Sequence, residues 1–312
     1  MNYDLIIIGG GPAGAAAGVY AARKKIKTLL ITESWGGQST DSVGIENWIG
    51  TVKIPGVEFG QILKNHVAAY ASNSVLMKEG EKVENIERWK EENKERFKIK
   101  TDRDTYDTKT VLIATGSTRR KLEIPGAKEY EGKGIVYCAS CDGPLFSDQD
   151  VVVIGGGNAA FESAAQLLAY CKSVTLLNRG DKLKADPVTI DTLSKNVKFK
   201  IIKNAIPVEI KGDGFVTGIM YEDSVTREKI LVPATGIFVE IGLLPTTWFA
   251  EGSGAEMNEI KQIKVDPRNQ RTSVHGLWAA GDCTDGLFHQ NNIAAGDAVK
   301  ALEDIYLELQ KM

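Results

Sequence analysis

The chain has 312 residues, of which 43% are hydrophobic and 25% are charged, with a net charge of −3. This length can bury a sizeable core and predicts two domains, and the composition is that of an ordinary globular protein. The slightly acidic balance provides no basic surface for nucleic acid or for an anionic membrane. The sequence shows no signal peptide and no apolar run long enough for a membrane helix, so we expect a cytoplasmic protein.

The first third of the chain alternates strands and helices. The apolar run Tyr3–Ile8 is typical of a buried parallel strand, and the alanine-rich segment Pro12–Lys24 predicts a helix. A second strand is predicted over Thr28–Thr32. A helix is predicted over Gly56–Ser72, with Ile62, Leu63, Val67 and Tyr70 on one face. Further strands are predicted at Val75–Ile86, Arg96–Thr101, Thr105–Lys109 and Val111–Ala114.

A glycine-rich turn joins the first strand to the first helix. Gly9, Gly11 and Gly14 have the spacing Gly-x-Gly-x-x-Gly, in which the glycines allow a tight turn, the approach of a pyrophosphate and close helix packing. The helix N-terminus attracts the negative charge of the phosphates. Glu33 ends the second strand, where a carboxylate can bind a ribose hydroxyl. This unit therefore predicts a dinucleotide-binding site.

The same pattern restarts in the middle of the chain. Gly155-x-Gly157-x-x-Ala160 repeats the fingerprint between a predicted strand and helix, with alanine at the packing position. We therefore expect a second dinucleotide site. The elements predicted in this half are strands at Val151–Ile154, Ser173–Leu177 and Ile237–Ile241, a helix at Phe161–Ala169, a hairpin at Lys211–Gly214 and a C-terminal helix from about Asn292.

These two copies of one nucleotide-binding plan define the predicted architecture. The tail of the chain returns to a strand followed by Gly281-Asp282 instead of starting a new fold. We therefore predict an α/β protein with two Rossmann-like, three-layer ββα dinucleotide-binding domains, the second inserted into the first. The first domain would comprise residues 1–116 and 246–312, and the inserted domain residues 117–245.

The loop after the second strand of the inserted domain bears on the choice of nicotinamide nucleotide. An Asp or Glu at the strand end favours NADH, whereas an arginine can pair with the additional phosphate of NADPH. Here the strand is followed by Asn178, Arg179, Lys182 and Lys184. The basic residues favour NADPH, and a solvated basic loop without a nucleotide role is the alternative.

A Cys-x-x-Cys pair, Cys138 and Cys141, precedes the second fingerprint. Two thiols at this spacing can form and break a disulfide with little backbone movement, and the thiolate is readily stabilised. A zinc site would need a second Cys or His pair, and none of the three histidines is suitably spaced. Redox exchange is therefore favoured over a metal site or a structural disulfide. The neighbouring Asp142 can carry the proton, although an ordinary turn aspartate fits the same context.

Other polar or reactive residues have weaker sequence signals. Cys171 and Cys283 stand alone, and we expect both to be small buried side chains. Asp282 follows an apolar strand and could lie near a ribityl chain or a phosphate, or simply end the strand. His289 is more typical of a structural or partner-contact residue than of a catalytic base.

The ordered motifs resemble the low-molecular-weight thioredoxin reductases, a class of pyridine nucleotide-disulfide oxidoreductases, across nearly the whole chain. The matching segments are Gly9–Gly14, Gly36–Gln38, Glu46–Trp48, Ala114–Gly116, Cys138–Gly143, Gly155–Asn158 and Ala280–Asp282. The segments Cys141–Phe146, Lys184–Asp186, Gly236–Val239 and Ile241–Pro245 are also similar to the flavoprotein subunit of alkyl hydroperoxide reductase. That subunit has an N-terminal thioredoxin-like extension not seen here, so we expect the dithiol to serve a separate protein.

The resemblance implies FAD at the first fingerprint and a nicotinamide nucleotide, NADPH or NADH, on the inserted domain. It implies that Cys141 lies nearest the flavin, that Cys138 attacks the disulfide of the partner and that Asp142 handles the protons. The implied FAD contacts are Gly9, Gly11, Pro12, Ala13, Gly14, Glu33, Gln38, Asn47, Gly116, Asp282 and Gln290. The implied nicotinamide contacts are Gly155, Gly157, Asn158, Ala159, Ala160, Arg179 and Lys184.

One stretch departs from the family pattern. Members that use NADPH have His-Arg-Arg-x-x-Phe-Arg where this chain has Asn178–Lys184, which keeps one arginine, replaces one by lysine and loses one. The hydroperoxide reductase relatives, which prefer NADH, tend to carry an acid at the position of Asn178. The sequence lies between the two groups and leaves the choice between NADPH and NADH open.

The sequence predicts an FAD-dependent disulfide reductase that passes electrons from NAD(P)H through flavin and Cys138–Cys141 to thioredoxin or a thioredoxin- or glutaredoxin-like protein. The resemblance also implies a homodimer. Because one dithiol cannot touch a buried flavin and an external protein at once, we expect the inserted domain to rotate about linkers near Gly116–Arg120 and Gly242–Pro245. The alternatives are a reductase of a peroxiredoxin system and a flavin-bearing redox sensor without sustained turnover. A ferredoxin reductase of similar architecture would lack the cysteine pair.

Overall fold

The computed structural model describes residues 2–42, 44–71, 74–91 and 94–312. The chain forms two compact units, the second inserted into the first. The first unit comprises Met1–Asp41, Trp48–Thr118 and Leu244–Met312, and the second comprises Ser42–Asn47 and Arg119–Leu243. None of the helices in the described residues is long and apolar enough to cross a membrane.

Helices and strands alternate around the two glycine-rich turns, and elsewhere several strands follow one another without an α-helix between them. The helices are α1 (Pro12–Arg23), α2 (Gly56–Ala71), α3 (Ala139–Asp142), α4 (Asn158–Leu167), α5 (Pro187–Ser194) and α6 (Asn291–Leu309). The strands are β1 (Asn2–Gly10), β2 (Thr28–Trp35), β3 (Val75–Glu79), β4 (Val83–Glu91), β5 (Lys94–Thr101), β6 (Thr105–Ile113), β7 (Ser117–Arg119), β8 (Ile135–Val136), β9 (Asp150–Ile154), β10 (Ser173–Leu177), β11 (Phe199–Ile202), β12 (Ala205–Asp213), β13 (Phe215–Asp223), β14 (Lys229–Pro233), β15 (Gly236–Val239), β16 (Leu243–Pro245) and β17 (Leu277–Ala279).

A seven-stranded sheet organises the first unit. Its order is β3-β2-β1-β6-β5-β4, and β17 also pairs with β6. Along the edge away from β1, strand β6 has two partners in succession. Its first half pairs with antiparallel β5 and its second half with parallel β17. Strand β1 lies between parallel β2 and β6, and its residues Leu5–Ile8 are buried on both faces. The continuous apolar run of β1 is therefore what a central parallel strand requires.

Three predicted strands were wrong in their bounds. The segment Val75–Ile86 is not one strand, because β3 pairs with parallel β2 whereas β4 pairs with antiparallel β5. Gly80 separates them at φ +72°, a conformation that favours glycine. Conversely, the strands predicted at Thr105–Lys109 and Val111–Ala114 form the single strand β6, which changes its partner without a break in the backbone.

The buried face of α2 also differs from the prediction. Phe59, Leu63 and Val67 are buried, whereas Ile62 and Tyr70 are 47% and 44% exposed. Residues four apart lie on one face of a helix, and Ile62 is about 100° away from Leu63 around the axis. The prediction that Ile62 and Tyr70 share the buried face was therefore wrong, because it relied on their apolar character alone. The predicted helix end at Ser72 lies outside the described residues.

The second unit repeats the nucleotide-binding plan on a smaller sheet. Five parallel strands have the order β11-β10-β9-β15-β8, and β12, β13 and β14 form a separate antiparallel sheet. The strand order reverses between β9 and β15, so the carboxyl ends of these two strands flank the crevice where α/β sheets bind ligands. The predicted fold class, an α/β protein with one Rossmann-like unit inserted into another, is confirmed.

An ionic cluster fastens the C-terminal helix α6 to the first unit. Arg271 pairs with Asp304 at 2.5 Å and with Glu308 at 2.8 Å. The buried Trp278 donates Nε1–H to Asp304 at 2.9 Å and lies 5.2 Å from the Arg271 guanidinium, measured to the ring centroid. The hydrogen bond from Arg271 is the main cause that lowers the pKa of Glu308.

We expect Arg271→Met to lower the free energy of unfolding at pH 7 by about 2 kcal/mol, because two largely buried carboxylates each lose an ion-pair partner, while Glu308 keeps His275 and Asp304 keeps Trp278. Since the folded-state pKa of Glu308 is lowered, its stabilising effect is present above the unfolded pKa of about 4.3 and is lost as the pH falls through the folded value. Denaturant unfolding should therefore show a smaller difference from the parent protein at about pH 3.5. Lys195→Met, which breaks the exposed pair with Asp191, is the control with little effect. An equal loss of unfolding free energy at pH 7 and at about pH 3.5 would contradict a stabilising role for the ionised Glu308.

Candidate active site

The glycine-rich turn of the first unit opens onto a cavity of about 420 Å³. The lining comes from the β1–α1 turn, the end of β2, the start of β4, the segment after β16 and the start of α6. Eight of the predicted FAD contacts lie in this lining. They are Gly9, Gly11, Pro12, Ala13, Glu33, Gln38, Gly116 and Asp282.

The three glycines of the turn lack a side chain for two different reasons. A Cβ at Gly9, whose φ is +119°, would overlap the carbonyl oxygen of Ala114, and a Cβ at Gly14 would overlap the carbonyl oxygen of Gly9. These two glycines therefore allow close backbone packing. A Cβ at Gly11 would meet no atom within 4 Å, so the space beside Gly11 belongs to the cavity. Open space at a helix N-terminus is the arrangement that accepts a pyrophosphate.

The second unit holds the Cys138–Cys141 disulfide. Cys138 is the N-cap of α3, a single helical turn, and its Sγ accepts a hydrogen bond from the backbone N–H of Cys141 at 3.2 Å. Both cysteines are partly exposed. A backbone N–H directed at Sγ stabilises a thiolate after the disulfide is broken. The geometry therefore favours Cys138 as the anionic, attacking sulfur of the pair.

Asp142 ends α3, directly after Cys141, and its side chain is buried at 5% exposure. Burial raises the pKa of this carboxyl to about 6, although the hydrogen bond from Ser42 and the charge of Arg119 both act to lower it. The Ser42 hydroxyl donates to Asp142 Oδ1 at 3.3 Å. A carboxyl that titrates close to neutral pH can both give and accept a proton.

The second glycine-rich turn, between β9 and α4, has the same design as the first. Gly155 adopts φ +147°, and a Cβ there would overlap the carbonyl oxygen of Glu240. Ala160 is fully buried at the packing position, whereas a Cβ at Gly157 would meet no atom within 4 Å. The adjoining Asn158 and Ala159 are exposed at the start of α4. The turn therefore leaves open space at a helix N-terminus, as in the first unit.

The loop after β10 is fixed by the side chain of Asn178. Its Nδ2–H groups donate to the carbonyl oxygens of Gly180 at 2.6 Å and Lys182 at 3.2 Å. The backbone N–H of Lys184 also donates to Gly156 at 2.7 Å, which ties the loop to the glycine-rich turn. The side chains of Arg179, Lys182 and Lys184 are exposed, and none of them forms an ion pair with another described residue. The loop thus presents three available cations beside the turn.

The family profile described as pyridine nucleotide-disulphide oxidoreductase matches residues 3–298. The chain belongs to this family. Membership implies a flavin and a nicotinamide nucleotide, and the chain has two glycine-rich turns.

Comparison with individual proteins supports the same family. The chain is 40% identical over 301 residues to a Bacillus subtilis protein named NADH dehydrogenase, and 40% identical over 299 residues to the F subunit of alkyl hydroperoxide reductase from Staphylococcus epidermidis. Each match covers 96% of this chain but 57% of the relative, so the chain spans little more than half the length of these relatives. The crystal structure of thioredoxin reductase from Streptococcus pyogenes is 32% identical, with a TM-score of 0.89 over 100% of this chain and 99% of that chain. The predicted resemblance to both groups is confirmed.

Three of the predicted flavin contacts of this family member lie outside the cavity lining. Gly14 is buried beneath the turn, Gln290 is the residue before α6, and Asn47 belongs to the second unit. Gln38, which does line the cavity, is held by a hydrogen bond from its Nε2–H to Ser117 Oγ at 3.0 Å. The roles of all these residues toward a flavin stay predictions.

The polar and aromatic cavity residues that sequence reasoning missed include Glu81, Lys82 and Trp248. Glu81 is buried, and its backbone N–H donates to Thr32, the residue before Glu33. Lys82 Nζ lies 5.5 Å from the ring centroid of Trp248, which is 51% exposed. No motif marks these residues, because β4 and the segment after β16 are far apart in the sequence and meet only in the folded unit.

Proposed function

We propose that this family member is an FAD-dependent disulfide reductase. It takes electrons from a nicotinamide nucleotide and delivers them through Cys138–Cys141 to thioredoxin or to a thioredoxin- or glutaredoxin-like protein. The observation that carries the proposal is a partly exposed disulfide with a buried acid directly beside it, in a chain with two glycine-rich nucleotide turns. The homodimer follows the family resemblance, and the cytoplasmic location is the expectation drawn from the sequence.

The first cavity fits FAD through its own chemistry. The open space at Gly11 accepts a pyrophosphate, Glu33 offers a carboxylate to a ribose, and the exposed ring of Trp248 offers a flat surface to an aromatic base. When bound there, FAD would transfer electron pairs between a nicotinamide and a disulfide. One cavity is lined by the turn at Gly11, by Glu33 and by Trp248, which favours a dinucleotide over FMN, a molecule without an adenosine half.

The protons and bonds of the cysteine pair can be followed residue by residue. Two electrons and two protons convert the Cys138–Cys141 disulfide to a dithiol, and Asp142 can supply one of those protons. The Cys138 thiol gives up its proton to solvent, and the resulting thiolate attacks the partner disulfide, which forms a mixed disulfide and releases one partner thiolate that takes up a proton. Cys141, deprotonated by Asp142, attacks Cys138 Sγ, which restores the intramolecular disulfide and releases the second partner sulfur as a thiolate that also takes up a proton.

Anaerobic reduction of the purified protein tests the proposal. NADPH and NADH are added separately while the flavin absorbance is followed, and thioredoxin disulfide is then supplied. We expect rapid bleaching with one nucleotide and reoxidation by the partner. Slow bleaching with both nucleotides would contradict the nicotinamide assignment, and a reduced protein that no disulfide reoxidises would contradict a disulfide reductase.

The loop after β10 favours NADPH as the donor. An acid at the position of Asn178 could accept hydrogen bonds from the ribose hydroxyls of NADH, but here the amide donates to two loop carbonyls. The cations that follow carry no ion pair among the described residues and are available to an additional phosphate. These contacts support NADPH over NADH.

We expect Arg179→Ala to raise KM for NADPH by about tenfold and to leave KM for NADH nearly unchanged, because a charge-assisted contact to phosphate is lost. Steady-state kinetics with each nucleotide measures the effect. Lys203→Ala is the matched control, since Lys203 is a neighbouring cation already paired with Asp181 at 3.5 Å. Equal changes for the two nucleotides would show that Arg179 does not read the phosphate.

The second candidate is the same chemistry in the service of a peroxiredoxin through a small carrier protein. The relatives named as the F subunit of alkyl hydroperoxide reductase favour it, since one is 40% identical over nearly the whole of this chain. Assays with thioredoxin, with a glutaredoxin-like carrier and with a peroxiredoxin system would separate the two functions. Sustained consumption of NADPH with any of them would exclude a redox sensor without turnover.

A further inference from the structure

A buried carboxylate, Glu81, belongs to the wall of the cavity in the first unit. Glu81 is 3% exposed, and its Oε1 accepts hydrogen bonds from the hydroxyls of Thr101 at 2.6 Å and Tyr106 at 2.8 Å. Both bonds end on the same oxygen, and no other described residue donates to Oε2. A buried carboxylate oxygen without a donor is unfavourable. Glu81 therefore offers one acceptor that a ligand in the cavity can satisfy.

Beside Glu81, the side chains of Lys82 and Trp248 form an aromatic part of the same wall. The backbone of Lys82 is fixed by Asp102, since its N–H donates to Oδ1 at 2.9 Å and its carbonyl oxygen accepts from the Asp102 N–H at 2.9 Å. Lys82 Nζ lies 5.5 Å from the ring centroid of Trp248. The buried ring of Phe249 makes a T-shaped contact with the same indole, with 5.8 Å between centroids. The indole ring is thus held by two neighbours although Trp248 is 51% exposed.

The segment that carries Trp248 packs closely on β4. A Cβ at Gly252 would lie 2.8 Å from Asn85 Oδ1 and 2.9 Å from the carbonyl oxygen of Ile86. Glu81 and Lys82 directly precede β4 in the chain. The buried acceptor and the exposed ring therefore lie on neighbouring segments of one wall.

A flat base with an exocyclic amino group is the ligand that fits these two features together. An exposed aromatic ring binds the face of a base by stacking, and a carboxylate accepts a hydrogen bond from an amino group at the edge of a base. A phosphate would be repelled by the carboxylate. A ribose hydroxyl is the other donor of an adenosine, but Glu33, near the end of β2, already offers a carboxylate to a ribose. The carboxylate of Glu81 is therefore left for the base.

We propose that Glu81 and Trp248 form an adenine-recognition subsite in the cavity of the first unit. Trp248 stacks on the adenine ring, and Glu81 Oε2 accepts a charge-assisted hydrogen bond from the 6-amino group. Glu81 is then a specificity-determining residue, because hypoxanthine has a carbonyl oxygen in place of that amino group and would bring two acceptors together. The inference rests on the proposed function, which assigns FAD to this cavity, and adds the residues that select its base.

Calorimetric titration of the full-length protein, freed of its cofactor, tests the role of Glu81. The ligands are FAD and the analogue in which hypoxanthine replaces adenine, and we expect the parent protein to bind FAD at least about tenfold more tightly. In Glu81→Gln the hydroxyls of Thr101 and Tyr106 keep the amide oxygen on their side, so the amide nitrogen is presented to the ligand. We therefore expect Glu81→Gln to reverse the preference, since its N–H donates to the carbonyl oxygen of hypoxanthine.

Tyr106→Phe is the matched control for this reversal. It removes one hydrogen bond from Glu81 but keeps the carboxylate, so the preference for FAD should stay. Equal affinities of the parent protein for the two ligands would overturn the inference. An unchanged preference in Glu81→Gln would overturn it as well, because a purely structural role of Glu81 predicts no change in the choice of base.

The stacking role of Trp248 is tested with FAD and FMN. We expect Trp248→Ala to weaken FAD binding by about tenfold to a hundredfold and to leave FMN binding unchanged, because FMN has no base to stack. Phe215→Ala, at a 67% exposed aromatic residue of the second unit, is the control and should affect neither ligand. Equal losses for FAD and FMN, or no loss for FAD, would overturn the subsite.

Adenosine monophosphate and inosine monophosphate test the subsite apart from any flavin. The second glycine-rich turn can also bind these nucleotides, so only the binding that Trp248→Ala removes is counted. We expect this part to favour adenosine monophosphate. If it does so while the protein binds no flavin, the proposed function fails and the subsite stands. If the protein binds FAD and its hypoxanthine analogue equally well, the subsite fails and the proposed function stands.

Discussion

Replacing Cys141 by serine is expected to lower turnover with a disulfide substrate by more than about 1,000-fold, because the intramolecular disulfide can no longer form. Cys138 keeps the N–H of residue 141 as a hydrogen-bond donor to its sulfur. We therefore expect Cys141→Ser to react with a single-cysteine thioredoxin, activated by thionitrobenzoate, and to retain it as a stable mixed disulfide. Mass spectrometry of the intact protein measures the adduct, and steady-state kinetics measures the loss of turnover.

The reverse variant and a buried thiol provide the controls for this experiment. Cys138→Ser should lose turnover equally but form little adduct, because the remaining Cys141 thiol lacks that hydrogen bond. Cys171 is fully buried, and burial raises the pKa of its thiol to about 11, so Cys171→Ser should form the normal disulfide and turn over normally. An adduct on Cys138→Ser instead of Cys141→Ser would reverse the roles given to the two sulfurs.

The second large effect is expected at Gly14, where alanine should destabilise the protein by about 3 kcal/mol or more. A Cβ at this position would overlap the carbonyl oxygen of Gly9, so α1 would have to move away from the turn. Gly11→Ala is the matched variant, because its Cβ has no neighbour within 4 Å and its φ of −75° suits alanine. We expect Gly11→Ala to cost less than about 1 kcal/mol in the cofactor-free protein but to weaken FAD binding by at least about tenfold.

Thermal unfolding of the cofactor-free proteins and titration with FAD separate these two effects. Gly14→Ala should unfold at a lower temperature whether or not FAD is present. Without FAD, Gly11→Ala should unfold near the temperature of the parent protein. When FAD is added, its unfolding temperature should rise less than that of the parent, since stabilisation by a ligand depends on its affinity. Normal FAD affinity in Gly11→Ala would mean that the cavity beside the first turn does not hold the pyrophosphate.

The sequence predicted best those features in which a residue type is required by the backbone geometry of a short segment. The two glycine-rich turns could be predicted because glycine at positions 9 and 155 is imposed by the backbone itself, through positive φ and close carbonyl contacts. The fold class followed from the repetition of that local unit. The spacing of Cys138 and Cys141 likewise predicted a disulfide that the structure contains.

Contacts between distant segments could not be predicted in this way. Ser42 donates to Asp142 across 100 residues of sequence, and Arg119 reaches Glu240 across 121, without any motif at either end. The exposed Ile62 on α2 shows a second limit, since an apolar residue does not reveal which side of a helix meets the core. Asn178 shows a third limit, because the sequence did not reveal that its amide donates to the carbonyl oxygens of the loop.

The short distance along the chain between the two redox cysteines has a consequence for folding. A cross-link with a sequence separation of 3 removes little freedom from the unfolded chain, about 2 kcal/mol by the loop-entropy relation, compared with nearly 5 for a loop of 100 residues. Hydrogen bonds that do not depend on the disulfide also anchor α3, such as Ser140 to Gln166 on α4 at 2.7 Å. Oxidised and reduced forms of the protein are therefore expected to have similar unfolding temperatures, so that repeated cycles of the cysteine pair do not expose the protein to unfolding or proteolysis.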